Sequence, residues 1–122
     1  MKYTLCDITE IEDPGSRAFE LIFNNAPLEI FVVQSNASLR AYVNSCPHTG
    51  ANLDWQENQF LDLDKCFIQC STHDALFDID SGLCIAGPCV DKSLQALELS
   101  SQNGSLVVHI PDDFINANAC GR

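Results

Sequence analysis

Two short stretches in the middle of this 122-residue chain, Cys46-Pro47-His48-Thr49-Gly50 and Cys70-Ser71-Thr72-His73, restrict what it can fold into more than any other feature. Each places a thiol and an imidazole within four residues of one another. Two such groups can face a common point only if the backbone turns sharply between them. Pro47 restricts that turn, and Gly50 supplies backbone freedom that other residues lack. Because 21 residues separate His48 from Cys70, the rest of the fold must bring the two loops together. Joined, Cys46, His48, Cys70 and His73 offer two sulfur and two nitrogen donors. That set suits either a tetrahedral zinc ion or a mixed-ligand iron–sulfur cluster. Common zinc modules pair Cys with Cys and His with His, whereas here each loop supplies one of each.

Around these loops the chain reads as short strands separated by turns. Residues 3–8, 18–23, 28–34 and 39–44 carry alternating or continuous apolar residues rich in β-formers. The breaks between them, Asp13-Pro14-Gly15, Asn24-Asn25-Ala26-Pro27 and Ser35-Asn36-Ala37-Ser38, are turn chemistry. Residues 65–69 and 75–79 are read as strands, the second closed by Asp80-Ser81-Gly82. Residues 96–100 and 106–110 flank Asn103-Gly104, the clearest hairpin signal in the chain. No helix of useful length and no internal repeat is visible. Several short strands at close spacing predict an all-β sandwich or barrel. Residues 45–59, 69–75 and 86–90 break the rhythm and read as loops, a placement that in a compact domain points to function.

Composition narrows the chemistry. The length is that of one domain, and 46% hydrophobic residues mark a globular chain. No apolar run approaches the roughly 20 residues of a membrane span. The opening MKYTLCDITEIED lacks the apolar segment of a secretory signal, so the protein is read as cytoplasmic. Seventeen acidic residues against six basic ones, a net charge of −11, exclude nucleic acid binding by charge neutralisation. An acidic surface favours protein partners with basic docking patches, or simply keeps the chain in solution. Seven cysteines are an odd number, and without an export signal they point to metal before disulfides.

At the level of motifs the chain resembles a known family. Residues 46–89, CPHTGANLDW…CSTHDALFDIDSGLCIAGPC, are similar to the cluster-binding segment of Rieske proteins, in particular the small bacterial ferredoxins that serve ring-hydroxylating dioxygenases. The resemblance implies an antiparallel β-sandwich base, residues 1–44 and 90–116, with an inserted cluster-binding subdomain, residues 45–89, in one domain spanning 1–122. It implies one [2Fe-2S] cluster per chain, with Cys46 and Cys70 on one iron and His48 and His73 on the other. Gly82 matches the turn after the second loop, and Gly87-Pro88 the family's third loop, which covers the cluster. The implied function is one-electron transfer from a flavin- or NAD(P)H-dependent reductase to a terminal oxygenase, the electron leaving through the two imidazoles. The chain is then an electron-transfer component with no catalytic residues of its own. The alternative is a small subunit or regulatory module of a larger oxidoreductase such as a nitrite reductase, and zinc in an interaction domain is a third reading.

Departures from the family pattern bear on redox behaviour. Asp74 stands where Gly commonly follows the second His, and the 21-residue spacer is long. Respiratory relatives carry an extra Cys in each loop; Ala51 and Thr72 occupy those positions, so the bridge between them is missing. Ala75 and Phe77 replace a Ser and a Tyr whose hydroxyls bond the cluster in those relatives. Two ferric ions, two sulfides, two thiolates and two neutral imidazoles sum to zero charge, which is why His ligation raises the potential above that of all-cysteine clusters. Missing hydroxyls and an acidic chain act the other way. The expected potential lies at the low end of the Rieske range, on the order of −150 mV.

The remaining candidates have plainer readings. Cys6, Cys66, Cys84, Cys89 and Cys120 read as small buried residues or free thiols. Cys66 precedes Cys70 by four residues, which in a strand puts both on one face. His109 reads as a packed or surface His on the last strand. Trp55 and Phe60 pack on the base or shield the cluster, Asp74 faces solvent or tunes the neighbouring imidazole, and residues 116–122 carry no readable function.

Overall fold

Three two-residue turns organise most of the molecule. The computed structural model describes residues 1–45, 53, 58–70, 75–87 and 92–114. Strands β2 (Gly15–Phe23) and β3 (Ala26–Ser35) are joined by Asn24-Asn25, and β3 and β4 (Ser38–Val43) by Asn36-Ala37. Asn103-Gly104 links the last two strands of the chain. All six turn residues have positive φ, between 52° at Asn36 and 82° at Gly104. Two successive positive-φ residues give the turn whose twist matches that of antiparallel strands, and Asn and Gly reach that region at low cost. The turns expected at the first two sites are present, as is the hairpin expected at Asn103-Gly104.

With β1 (Lys2–Asp7), β8 (Ala96–Gln102) and β9 (Ser105–His109), these strands form one antiparallel sheet in the order β1-β9-β8-β4-β3-β2. Strand β8 is the joint: Ala96 and Leu97 pair with β4, and Glu98 to Gln102 pair with β9. The sheet curls until its two outer strands meet, and the Tyr3 hydroxyl on β1 donates to the Ile22 carbonyl on β2 at 2.9 Å. Inside the curl lies an aliphatic core that includes Leu28, Ile30, Val32, Val43, Leu106 and Val108. A short 3-10 turn, Ile8–Glu10, follows β1; it was not expected, and is fixed by the Asp7 N–H donating to the Glu10 carboxylate at 3.1 Å.

The continuous apolar run on β3 has a simple meaning. Ile30, Phe31, Val32 and Val33 are all fully buried, and side chains alternate across a strand. Ile30 and Val32 therefore fill the aliphatic core, while Phe31 and Val33 belong to a second core on the outer face. There Phe31 stacks on Phe60, centroids 4.2 Å apart and planes 5° from parallel. Tyr42 of β4 joins them, and its hydroxyl donates to the Ile79 carbonyl at 2.6 Å.

A small sheet packs on this outer face: β5 (Ile68–Gln69), β6 (Leu76–Phe77) and β7 (Cys84–Ala86), in that order. Its strands are shorter than the sequence pattern indicates. The expected strand at 65–69 keeps only its last two residues, because the Asp62 carboxylate accepts the N–H groups of Cys66 and Phe67 at 2.9 and 3.2 Å and Lys65 turns to φ 57°. The strand expected at 75–79 is cut in the same way. Asp78 accepts from the Ser81 N–H at 3.0 Å and the Ser81 hydroxyl at 2.7 Å, closing a turn. Strand β7 was not anticipated, and the strand expected to run to Asn44 stops at Val43. Among the described residues no helix is long and apolar enough to cross a membrane. The all-β class is the one expected.

Candidate metal centre

Of the four donor residues, Cys46, His48 and His73 lie outside the described residues, as do Ala51, Trp55, Thr72, Asp74, Pro88, Cys89 and Cys120. Cys70 is described. It follows β5 directly and is fully buried, and its N–H donates to the Ala75 carbonyl at 2.9 Å. That bond joins Cys70 to Ala75 next to the β5–β6 pairing Gln69↔Leu76.

The first motif leaves from the end of β4. Asn44 and Ser45 are buried, and the Asn44 N–H donates to the Glu29 carbonyl at 2.9 Å, tying the exit to β3. The chain returns at Leu53, which is fully buried in the outer core with Phe31, Phe60, Cys70 and Ala75. The Leu53 N–H donates to the Asn44 side-chain oxygen at 2.8 Å. The roots of both Cys/His stretches thus share one core.

The third loop approaches the same place. Gly87 has φ +100°, and a Cβ built on it would stand 2.8 Å from the Cα of Ala75. Only glycine permits this approach, and it needs a small residue at 75. Gly82 plays a similar part at the other end of the small sheet, at φ +76°, where a Cβ would meet the Tyr42 ring at 2.8 Å. Burial pushes the Tyr42 phenol up to about 12, so its proton stays on the bond to Ile79.

The other candidates are also placed. Phe60 packs against the base through its stack on Phe31. Cys66 is exposed on the 62–67 turn and not in a strand, which overturns the expectation that it shares a face with buried Cys70. Cys84 is buried in the outer core, its sulfur 3.3 Å from the Ala86 carbonyl. Cys6 is half-buried on β1, and burial followed by the Glu10 charge raises its thiol pKa. His109 is half-buried with its Nε2 2.8 Å from the Ser100 hydroxyl. Asn44 was missed as a site residue. An Asn two positions before Cys46 is unusual at the end of a strand, but its partner, Leu53, lies nine positions away and shows only in the fold.

Residues 1–108 match the Rieske [2Fe-2S] domain. The chain belongs to that family. Among solved structures, the ferredoxin of carbazole 1,9a-dioxygenase from Nocardioides aromaticivorans IC177 is similar to this Rieske domain with a TM-score of 0.70 and 23% identity, over 88% of this chain and 96% of its own. A complex of reduced oxygenase and oxidized ferredoxin in carbazole 1,9a-dioxygenase matches with a TM-score of 0.71 and 21% identity, over 88% of this chain and 91% of that one. The terminal oxygenase of carbazole 1,9a-dioxygenase from Novosphingobium sp. KA1 matches with a TM-score of 0.76 and 14% identity, over 97% of this chain but 32% of its own. At these identities the likeness is one of fold. No curated protein matches the chain in sequence.

A Rieske domain carries one [2Fe-2S] cluster per chain, and the described part of this one fits such a group. The Cys70 thiol is fully buried, its N–H held by the Ala75 carbonyl, with Leu53 in the same core and the Gly87 backbone against Ala75. Burial of this kind would keep solvent from a group held by the Cys70 sulfur, which is one of the levers that set a cluster's potential.

Proposed function

We propose that this Rieske domain is a one-electron carrier, taking electrons from a flavin- or NAD(P)H-dependent reductase and passing them to an oxygenase-type acceptor. The observation that carries the reading is the family match over residues 1–108, with Cys70 buried and its N–H held by the Ala75 carbonyl at the root of the second Cys/His stretch. Cys46 and Cys70 would hold one iron through thiolates, and His48 and His73 the other through imidazoles. When bound, the cluster takes up one electron and gives it back. The chain's part is to hold the two stretches in register, keep water from the sulfurs and set the potential. Ala75 and Phe77 are buried and carry no hydroxyl to donate, and the net charge of −11 disfavours an added electron. A base of 1–44 and 90–116 is supported by the core drawn from those residues alone, and a cluster-binding part, 45–89, by a second core that packs Leu53 to Cys84 onto Phe31, Val33, Tyr42 and Leu94 of that base. A reducing cytoplasm is the compartment that suits seven cysteines.

An oxygenase partner is supported by the structure in which ferredoxin and oxygenase are in complex. The fit to about a third of a terminal oxygenase favours a second reading, a Rieske module working within a larger oxidoreductase. Iron content, the EPR spectrum after dithionite and a redox titration test the first reading. It expects about two irons per chain, the low average g-value of mixed His/Cys ligation and a midpoint on the order of −150 mV. Zinc in a colourless protein overturns it, and a midpoint well above zero removes the low-potential assignment. Gel filtration with candidate reductases and oxygenases separates a free carrier from a bound module.

A further inference from the structure

We infer that Asn44 is a positioning residue for the first pair of cluster ligands: its side-chain amide closes the loop that carries Cys46 and His48 onto its own root. The inference rests on the Rieske reading and goes beyond it, since Asn44 is not a ligand. The geometry is that of a clasp. Asn44 is held to the base sheet by its own N–H, which donates to the Glu29 carbonyl at 2.9 Å, while the next amide, Ser45 N–H, donates to the Val43 carbonyl at 2.9 Å. Its side-chain oxygen then reaches nine positions ahead and accepts the Leu53 N–H at 2.8 Å.

Both ends of this bond are dry, with Leu53 fully buried and Asn44 4% exposed. Burial of the Leu53 side chain in the core around Phe31, Phe60 and Cys70 sets how deep the return segment sits. Burial is non-directional and leaves rotation of that segment free. The hydrogen bond has a direction, so it fixes the rotation as well. Groups that orient ligands from behind in this way typically change metal affinity about 10- to 100-fold when removed. The second ligand stretch needs no such side chain, because its ends are joined by the Cys70 N–H to Ala75 carbonyl bond. Among the described residues no strand pair joins the ends of the first stretch, and Asn44 supplies the closure.

A second side-chain clasp provides the control. The Asn58 side-chain oxygen accepts the Ala18 N–H at 2.8 Å and fastens the spacer to β2, outside either ligand stretch. The experiment follows iron release from the reduced holoprotein to a ferrous chelator, each variant held at the same interval below its own Tm, with the EPR spectrum recorded alongside. Asn44→Ala is expected to release iron about 10- to 100-fold faster than the native protein and to broaden the g-values. Asn44→Asp, which keeps an acceptor oxygen, is expected to recover most of the native rate, and Asn58→Ala to release iron at the native rate. Should Asn44→Ala not fold, Asn44→Ser, whose hydroxyl is too short to reach Leu53, carries the same expectation. Native-rate release from the Ala or Ser variant overturns the inference, as does equal acceleration by Asn58→Ala. Native protein that purifies without iron overturns the Rieske carrier reading itself, an outcome read separately from the variants.

Discussion

The two faces of β3 show two ways of making a core. Behind Ile30 and Val32 the core is aliphatic, and its strands of five to ten residues are set in register mostly by two-residue turns. Behind Phe31 and Val33 the core is aromatic, built from Phe31, Tyr42, Phe60 and Phe77, and its strands are two or three residues long. Backbone pairing alone cannot hold strands that short. Side chains supply the order instead: Tyr42 to Ile79, Asn44 to Leu53, Asn58 to Ala18, Asp62 to Cys66 and Phe67, and Asp78 to Ser81. The first core resembles a scaffold that stands by itself. The second is a set of clasps: Asn44 to Leu53, with the buried ring of Phe60, lies next to the roots of the two Cys/His stretches, whereas Asn58 to Ala18 ties the spacer to β2.

Removing a large aromatic ring from each core breaks or sharpens this contrast with the largest effect. Phe60→Ala deletes the stack on Phe31 and leaves a cavity at a fully buried site, an expected cost of about 3–5 kcal/mol. Phe23→Ala, in the base core where Phe23 meets Phe114 edge-on at 5.7 Å, is expected to cost less, because Phe23 sits nearer the surface. Denaturant unfolding measures both costs, and iron content after dialysis separates them. Phe60→Ala is expected to lose iron while Phe23→Ala keeps it. Equal iron loss from the two variants removes the distinction between the cores.

The same contrast explains which parts of the structure were legible in the sequence. The base is written in local chemistry: Asn24-Asn25 and Asn103-Gly104 predict their turns, and the apolar run within 28–34 predicts a strand. The outer core is written in distant pairs. Nothing local to Cys66-Phe67-Ile68 shows that the Asp62 carboxylate bends the chain there, so an apolar run reads as a longer strand than it is. Residues 84–86 are too few to show any period. The two Cys/His motifs stand out in the sequence because Cys and His at short spacing are rare outside metal sites. Asn44 is not, because its partner lies nine positions away and reveals itself only once Leu53 is buried.

The Tyr42 clasp sharpens the comparison through pH, with a middling effect. In the folded protein the phenol keeps its proton up to about 12 because it is buried, whereas an unfolded tyrosine releases it near 10. Above pH 10 the unfolded state therefore binds fewer protons than the folded one, and stability falls as pH rises from 10 to 12. Below pH 10 the contribution is intact. Two pKa units correspond to about 2–3 kcal/mol. Tyr42→Phe is expected to cost about 1 kcal/mol at neutral pH through the lost bond to the Ile79 carbonyl and to flatten the alkaline slope. The difference between native and Tyr42→Phe unfolding free energies, followed from pH 9 to 12, isolates the group from every other titration. A difference that stays constant across that window shows that the clasp does not couple to the phenol's proton.

The smallest effect belongs to the scaffold. Ala37 occupies the second position of the β3–β4 turn at φ 65°, where a Cβ costs roughly 1–2 kcal/mol relative to glycine. Asp13 offsets part of that strain, its carboxylate accepting the Ala37 N–H at 2.8 Å. Ala37→Gly relieves the strain but gives the unfolded chain more freedom, which takes back about 0.4–1 kcal/mol. The expected net gain is about 0.5 kcal/mol in denaturant unfolding. If the scaffold stands by itself, that gain appears equally in iron-loaded and iron-free protein, because the turn belongs to the base and not to the clasps. A gain confined to the loaded protein shows instead that the base core leans on the cluster side, and the two faces of β3 are then one cooperative unit.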